Sequence, residues 1–230
     1  MNGMAGAAGT LVSLAAAGAL LVTGALQTAA PQNDADSDLF LVNRQWRISE
    51  SYEPELTTAD VPGQLRQLRP EAASALEELF AACREETGVS LSAVSGFRDY
   101  AKQSRLYQRK LKQTGGDADA ADAWVARPGA SEHQTGRAMD VGQLNGKGTL
   151  TADFADTEGG RWLAENCWRF GFILRYQAGW EDITGYRWEP WHIRYVGREA
   201  AASLHRSGEP FETWLLRKRK QILLELLDSE

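Results

Sequence analysis

The chain has 230 residues, of which 43% are apolar, so it is long enough to bury one hydrophobic core and form a single domain with short appendages. Its formal net charge of -6 argues against nucleic acid as a partner, because a surface that neutralises phosphates needs a clustered basic excess. The one basic run, residues 217–220, lies among leucines and is typical of a solvated helix face.

The N-terminal stretch differs in composition from the rest of the chain. Residues 1–32 carry no charged side chain, and an apolar stretch of roughly 20 residues is enough to span a membrane. The sequence therefore predicts a signal peptide or an N-terminal membrane anchor over residues 1–30, and it does not decide between cleavage and retention. Either alternative predicts export, to the extracellular face of the cytoplasmic membrane or the cell wall. Residues 31–39 are polar and are interpreted as a linker, so the folded domain is expected over residues 40–230.

The remaining elements follow from hydrophobic spacing and from turn residues. Apolar residues at spacings of three and four predict helices over 70–87, 100–113 and 158–170 and a helical region from 198 to the end. Short apolar or alternating runs predict strands near 89–94, 138–141, 172–174 and 192–196. Because helices and short strands do not alternate in βαβ units, the predicted fold class is α+β.

The chain contains two cysteines, Cys83 and Cys167. Neither has a second Cys or a His at metal-ligand spacing, so they are not a zinc site. We favour two buried thiols, with one disulfide in an exported protein as the alternative.

Two of the three histidines lie near acidic residues in segments that read as loops or strand ends. Zinc in a hydrolase needs three protein ligands and one open position, and His133, Asp140 and His192 supply that set. Glu189, three residues before His192, is placed to act as a general base without being a ligand. Each residue alone is more often structural, as we interpret His205 near a helix end, so the prediction rests on the combination.

Four blocks carry a resemblance to a known family. They are SGFRDY at 95–100, SEHQTGRAMD at 131–140, FGFILRY at 170–176 and EPWHIRYVG at 189–197. In this order they resemble the VanY-type D-alanyl-D-alanine carboxypeptidases and their LD-carboxypeptidase relatives, over about residues 65–197. Arg137 departs from the family pattern, in which an apolar residue is expected.

The resemblance implies an α+β zinc-peptidase domain with a small antiparallel sheet flanked by helices. It implies one zinc ion held by His133, Asp140 and His192, with Glu189 as the catalytic base. It also assigns the position of Arg98 to the substrate, where a guanidinium can stabilise an oxyanion on the scissile carbonyl. The positions of Gln103 and Ser131 are similar to substrate-binding positions of the family.

The expected function is hydrolysis of the bond before the C-terminal D-alanine of peptidoglycan stem peptides, which are the expected partner. The residues do not distinguish D,D from L,D specificity. A second hypothesis is a non-catalytic zinc-containing module that binds the cell wall, and Glu189 argues against it because a binder needs no base. A third is a peptidoglycan endopeptidase of the same fold. The sequence leaves the oligomeric state open.

Overall fold

A four-stranded antiparallel sheet lies at the centre of the molecule. In the computed structural model, which describes residues 34–228, the strands are β1 (Thr57–Thr58), β2 (Gln67–Leu68), β3 (Leu91–Ser95), β4 (Ala138–Gln143), β5 (Phe172–Leu174) and β6 (His192–Tyr195). The central sheet has the order β3-β4-β6-β5 with all neighbours antiparallel, and β1 and β2 form a separate antiparallel pair.

Helices flank this sheet. The α-helices of the described residues are α1 (Pro70–Thr87), α2 (Tyr100–Gln113), α3 (Ala118–Asp122), α4 (Glu158–Asn166), α5 (Glu181–Thr184), α6 (Arg198–Ser207) and α7 (Phe211–Asp228). Three 3-10 helices cover Glu132–Thr135, Ala152–Asp156 and Cys167–Phe170. The prediction of an α+β domain with a small antiparallel sheet flanked by helices is confirmed.

The main core lies between α1 and the sheet. The apolar face of α1 packs on inward-facing residues of β3, β4 and β6, and α4 closes the core from the side. This burial follows from the period of the sequence, because residues three and four apart share one helix face. Cys83 and Cys167 are both buried in this core and both are free thiols, as predicted.

The helices α1 and α2 have the predicted bounds, whereas two other predicted helices are divided. The segment 158–170 is α4 followed by a 3-10 helix, because Asn166 leaves helical backbone angles at φ -123°. The region after residue 198 is broken between α6 and α7, where Gly208 takes a left-handed conformation (φ 65°) and Pro210 follows. Glycine and proline at these positions end α6 in the usual way.

The described part of the predicted linker, residues 34–39, differs from the expected tether. Asp36 pairs with Arg69, and the Arg137 guanidinium donates to Asp38 Oδ1 at 2.9 Å. Arg137 is fully buried, so a carboxylate partner is needed to compensate its charge. These contacts hold the segment on the domain, and they explain the arginine that stands where an apolar residue was expected.

No helix within residues 34–228 combines the length and the apolar character that a membrane crossing requires. The predicted signal peptide or anchor at residues 1–30 lies outside the described residues and stays a prediction.

Candidate active site

Three elements bring the predicted metal ligands together. Asp140 on β4 and His192 on β6 are cross-strand partners, and His133 lies in the 3-10 helix that precedes β4. Gly136 ends that helix with φ 70°, a left-handed conformation that lets the chain turn into the strand. One donor atom from each of the three residues lies within 4.8 Å of the other two, and all three residues are buried.

Hydrogen bonds fix which ring nitrogen of His133 faces the cluster. Its Nδ1 lies 2.7 Å from the carbonyl oxygen of Gly96, which can only accept, so Nδ1 carries the proton. The Nε2 lone pair then faces Asp140 Oδ2 at 3.4 Å. A side chain at Gly96 would come within 2.5 Å of the carbonyl oxygen of Gln67, so a glycine is needed for this close approach.

His192 is oriented by a buried carboxylate. Its Nε2 lies 3.3 Å from Glu132 Oε2, and its Nδ1 faces Asp140 Oδ1 at 3.1 Å. Glu189 Oε2 lies 3.8 Å from the same Nδ1. A histidine whose outer nitrogen donates to a carboxylate presents the other nitrogen as a ligand, which is the usual outer-sphere arrangement at metal sites.

The carboxylate of Glu132 is itself held by two arginines. Arg175 Nε donates to Glu132 Oε1 at 2.8 Å, and Arg194 Nη1 donates to the same oxygen at 3.1 Å. All three side chains are fully buried. Arg175 also donates from two nitrogens to Glu212 in the first turn of α7, at 2.9 and 2.5 Å. A chain of paired charges therefore connects the C-terminal helix to His192.

The buried charges shift the acid–base properties of the site. Burial lowers the pKa of His133 to about 4, and the nearby Arg98 adds to the effect. Burial alone would lower the pKa of His192, but its hydrogen bonds to Asp140 and Glu132 outweigh this and raise the pKa to about 9. Burial raises the pKa of Glu189 to about 7, with the Asp140 carboxylate adding to the rise. The raised pKa of Glu189 suits the predicted role of this carboxylate as a general base.

Arg98 points into the site and is held from three sides. Its Nη1 lies 3.5 Å from Asp140 Oδ2 and 3.1 Å from Ser95 Oγ, and its Nε donates to Gln103 Oε1 at 3.1 Å. Gln103 donates in turn to the carbonyl oxygen of Ala126 at 2.7 Å. The Gln103 amide, predicted as a substrate contact, is thus engaged by the protein at both ends and positions Arg98.

The carboxylate of Asp99, beside Arg98, caps α2 by accepting from the backbone N–H of Lys102. The Arg98 guanidinium is therefore directed to the cleft rather than to its chain neighbour.

The donor set opens on a cleft of about 370 Å³. Ser131, the second predicted substrate contact, lines it together with Arg98, Gln103 and Glu189. The rings of Tyr176, Tyr186 and Trp191 form other parts of the wall. Tyr176 packs against the His192 ring with centroids 4.9 Å apart.

The sequence patterns did not single out Glu132, Arg175 and Arg194, although all three lie inside the four blocks that carry the family resemblance. Arg194 shares a strand face with His192, two residues before it, and that alternation was a usable signal. The pairing of Arg175 with Glu132 had no local signal, because the two residues are 43 positions apart.

The chemistry of the donor set fits zinc. Two imidazole nitrogens and one carboxylate oxygen, with an acid and an arginine beside them, suit zinc in a hydrolytic site with an open position. An α+β fold that presents this set in a cleft is typical of metal-dependent hydrolases, to which the metallopeptidases belong.

Comparison with known proteins identifies the family. The family model described as VanY, D-alanyl-D-alanine carboxypeptidase, matches residues 65–198. A D-alanyl-D-alanine carboxypeptidase of Enterococcus faecalis is 39% identical over 201 residues, which cover 83% of this chain and 70% of the relative. The chain belongs to the VanY family, and the resemblance predicted from the four blocks is confirmed.

Two solved structures are similar to the whole domain. The LdcB LD-carboxypeptidase matches with a TM-score of 0.72 at 39% identity, covering 80% of this chain and 86% of that one. A variant of the vancomycin resistance D,D-pentapeptidase VanY, in complex with Zn(II), matches with a TM-score of 0.67 at 37% identity, covering 77% and 98%. Both D,D- and L,D-cleaving relatives therefore share this fold.

Proposed function

We propose that this chain is a zinc-dependent carboxypeptidase that hydrolyses the bond before the C-terminal D-alanine of peptidoglycan stem peptides. The observation that carries the proposal is the convergence of His133, Asp140 and His192 on one point, with Glu189 beside His192 and Arg98 beside Asp140. The family membership and the Zn(II) complex of a relative support it.

In this proposal His133, Asp140 and His192 hold the metal. When bound, zinc supplies Lewis-acid polarisation of the scissile carbonyl and lowers the pKa of water at the open position. Glu132 holds the His192 ring so that Nδ1 faces inward. The Gly96 carbonyl holds the His133 ring by accepting from Nδ1, so that Nε2 faces inward.

Glu189 takes the proton of the attacking water and returns it to the leaving amino group. The raised pKa of its buried carboxyl suits both transfers, because an acid near neutral pKa can accept and release a proton at similar cost. Arg98 directs a fixed guanidinium at the cleft and stabilises the negative charge that develops on the carbonyl oxygen. Ser131 lines the cleft and offers a hydroxyl to the terminal residue.

Export is part of the proposal, because the substrate lies outside the cytoplasmic membrane. It is supported by the uncharged stretch at residues 1–32, which lies outside the described part of the chain.

The direct test is release of free D-alanine from a synthetic stem pentapeptide and from the tetrapeptide. The purified protein is assayed with zinc and after removal of zinc by a chelator. We expect metal-dependent release, and the preferred peptide assigns D,D or L,D specificity. A folded, zinc-loaded protein that releases D-alanine from neither peptide would contradict the proposal.

A further inference from the structure

One wall of the catalytic cleft is a stripe of α2. Gln103, Leu106, Lys110 and Gln113 recur at spacings of three and four, and Arg109 stands beside them. Residues at these spacings share one helix face, so α2 lines the cleft along most of its length. The stripe begins at Gln103, which holds Arg98, and leads away from the metal ligands.

Cations collect around a tryptophan at the far end of this stripe. Trp124 is 50% exposed, with Lys110 Nζ 5.3 Å and Arg187 Cζ 4.3 Å from its ring centre. Arg109 and Lys110 line the cleft beside it. We call Arg109, Lys110, Trp124 and Arg187 the basic arm.

The basic arm carries charge without acidic partners. Across residues 34–228, none of Arg109, Lys110 and Arg187 forms an ion pair with a carboxylate, whereas the exposed Arg198 and Arg217 do. The chain as a whole has a formal net charge of -6, so three neighbouring cations without a carboxylate partner form a local positive patch on an acidic protein. A local field of this sign attracts an anionic group to this end of the cleft.

The length of α2 fixes how far that group lies from the reaction. Lys110 is seven residues after Gln103, which corresponds to about 10 Å along a helix that rises 1.5 Å per residue. An extended peptide covers that span in about three residues at roughly 3.3 Å each. The basic arm is therefore placed for a group upstream in the substrate and is too distant for the terminal residue beside Arg98.

We propose that the basic arm binds a carboxylate of the substrate peptide about three residues before its C-terminus. The proposal rests on the proposed function, since it extends the same cleft. The stem pentapeptide offers two groups near this distance: the α-carboxylate of the γ-linked glutamate, about three residues before the C-terminus, and the side-chain carboxylate of a diaminopimelate, about two residues before it. Trp124 packs against the peptide backbone beside the bound carboxylate. The cations favour the acidic peptide over the amidated one.

The experiment measures peptide binding to the Glu189→Gln protein, which separates recognition from turnover. Four synthetic pentapeptides are compared: both carboxylates free, each one amidated in turn, and both amidated. We expect amidation of one of them to weaken binding about fivefold, the sum of two or three partly exposed charge contacts. The peptide that loses affinity identifies which carboxylate is bound.

Arg109→Gln and Lys110→Gln are then added to the Glu189→Gln protein. We expect the ratio of its affinities for the acidic and the amidated peptide to fall to about one. Arg105→Gln with Lys112→Gln is the matched control, because both residues are exposed on the same helix and neither lines the cleft. The control should keep the ratio.

Equal binding of all four peptides, or an unchanged ratio after the Arg109 and Lys110 changes, overturns the inference. If wild-type protein still releases D-alanine, only the inference fails. If no peptide binds and none is cleaved, the proposed function fails with it.

Discussion

At the scale of single residues, hydrogen bonds to buried acceptors orient the two histidines of the predicted metal site. His133 and His192 each have one ring nitrogen committed to a buried acceptor, the Gly96 carbonyl or the Glu132 carboxylate. The other nitrogen of each ring is thereby directed at Asp140. In the proposed mechanism Glu132 is thus a positioning residue, since it would act on a bound metal through His192.

Glu132→Gln should lower zinc affinity by about 10- to 100-fold, because the amide cannot match a carboxylate as the acceptor for His192. The measurement is competition for zinc with a chromophoric chelator, which does not depend on turnover. Glu212→Gln is the matched control, because it removes the other carboxylate partner of Arg175 and leaves the His192 contact in place. Equal zinc affinity of Glu132→Gln and wild type would contradict the positioning role.

The rate should depend on pH through Glu189. Burial raises the pKa of Glu189 to about 7, and the base works only when ionised, so kcat/KM should fall as the pH drops through that pKa. A bound cation favours the carboxylate and lowers the pKa, so the acid limb is expected at or below about pH 7. A pH–rate profile of the zinc-loaded protein measures it. An acid limb well above pH 7, or none, would assign the base to another group.

At the scale of elements, α7 contributes both a charged residue to the buried charge chain and apolar residues to the core. Its first turn contributes Glu212 to the buried charge chain, and Phe211 and Trp214 pack beside α6 and β5. The folding of α7 and the geometry around Arg175 are therefore linked.

Glu212→Gln should lower the free energy of unfolding by about 3 kcal/mol, because it leaves the fully buried Arg175 with one carboxylate instead of two. Chemical denaturation measures it. Glu209→Gln is the control, since the exposed pair of Glu209 with Arg217 should contribute little. Similar destabilisation by both changes would contradict a special role for the buried pair.

Local patterns predicted the elements better than the contacts between them. The bounds of α1 and α2 follow from hydrophobic period and from Gly88 at the end of α1, so they were readable from the sequence. The division after Asn166 was not, because the same apolar spacing suits an α-helix and a following 3-10 turn.

At the scale of the whole molecule, segments far apart in sequence converge on one cleft. The predicted set of His133, Asp140, His192 and Glu189 could be chosen from the sequence because few histidines are present and each lies near an acid. The anchoring of residues 34–39 through Arg137 could not, because pairing between distant charges leaves no periodic signal. The buried ion pairs of Glu132 with Arg175 and Arg194 were not predicted, for the same reason.

The most direct test of the central claim is a paired measurement on Glu189→Gln: bound zinc per chain and the rate of D-alanine release. We expect one zinc per chain, as in wild type, because Glu189 is not among the proposed ligands. We expect a rate lower by about 10²- to 10⁴-fold, the usual loss when a general base is removed. Near wild-type release by a zinc-loaded Glu189→Gln protein would contradict the role of Glu189 as the base, and loss of the metal in that variant would make Glu189 a ligand.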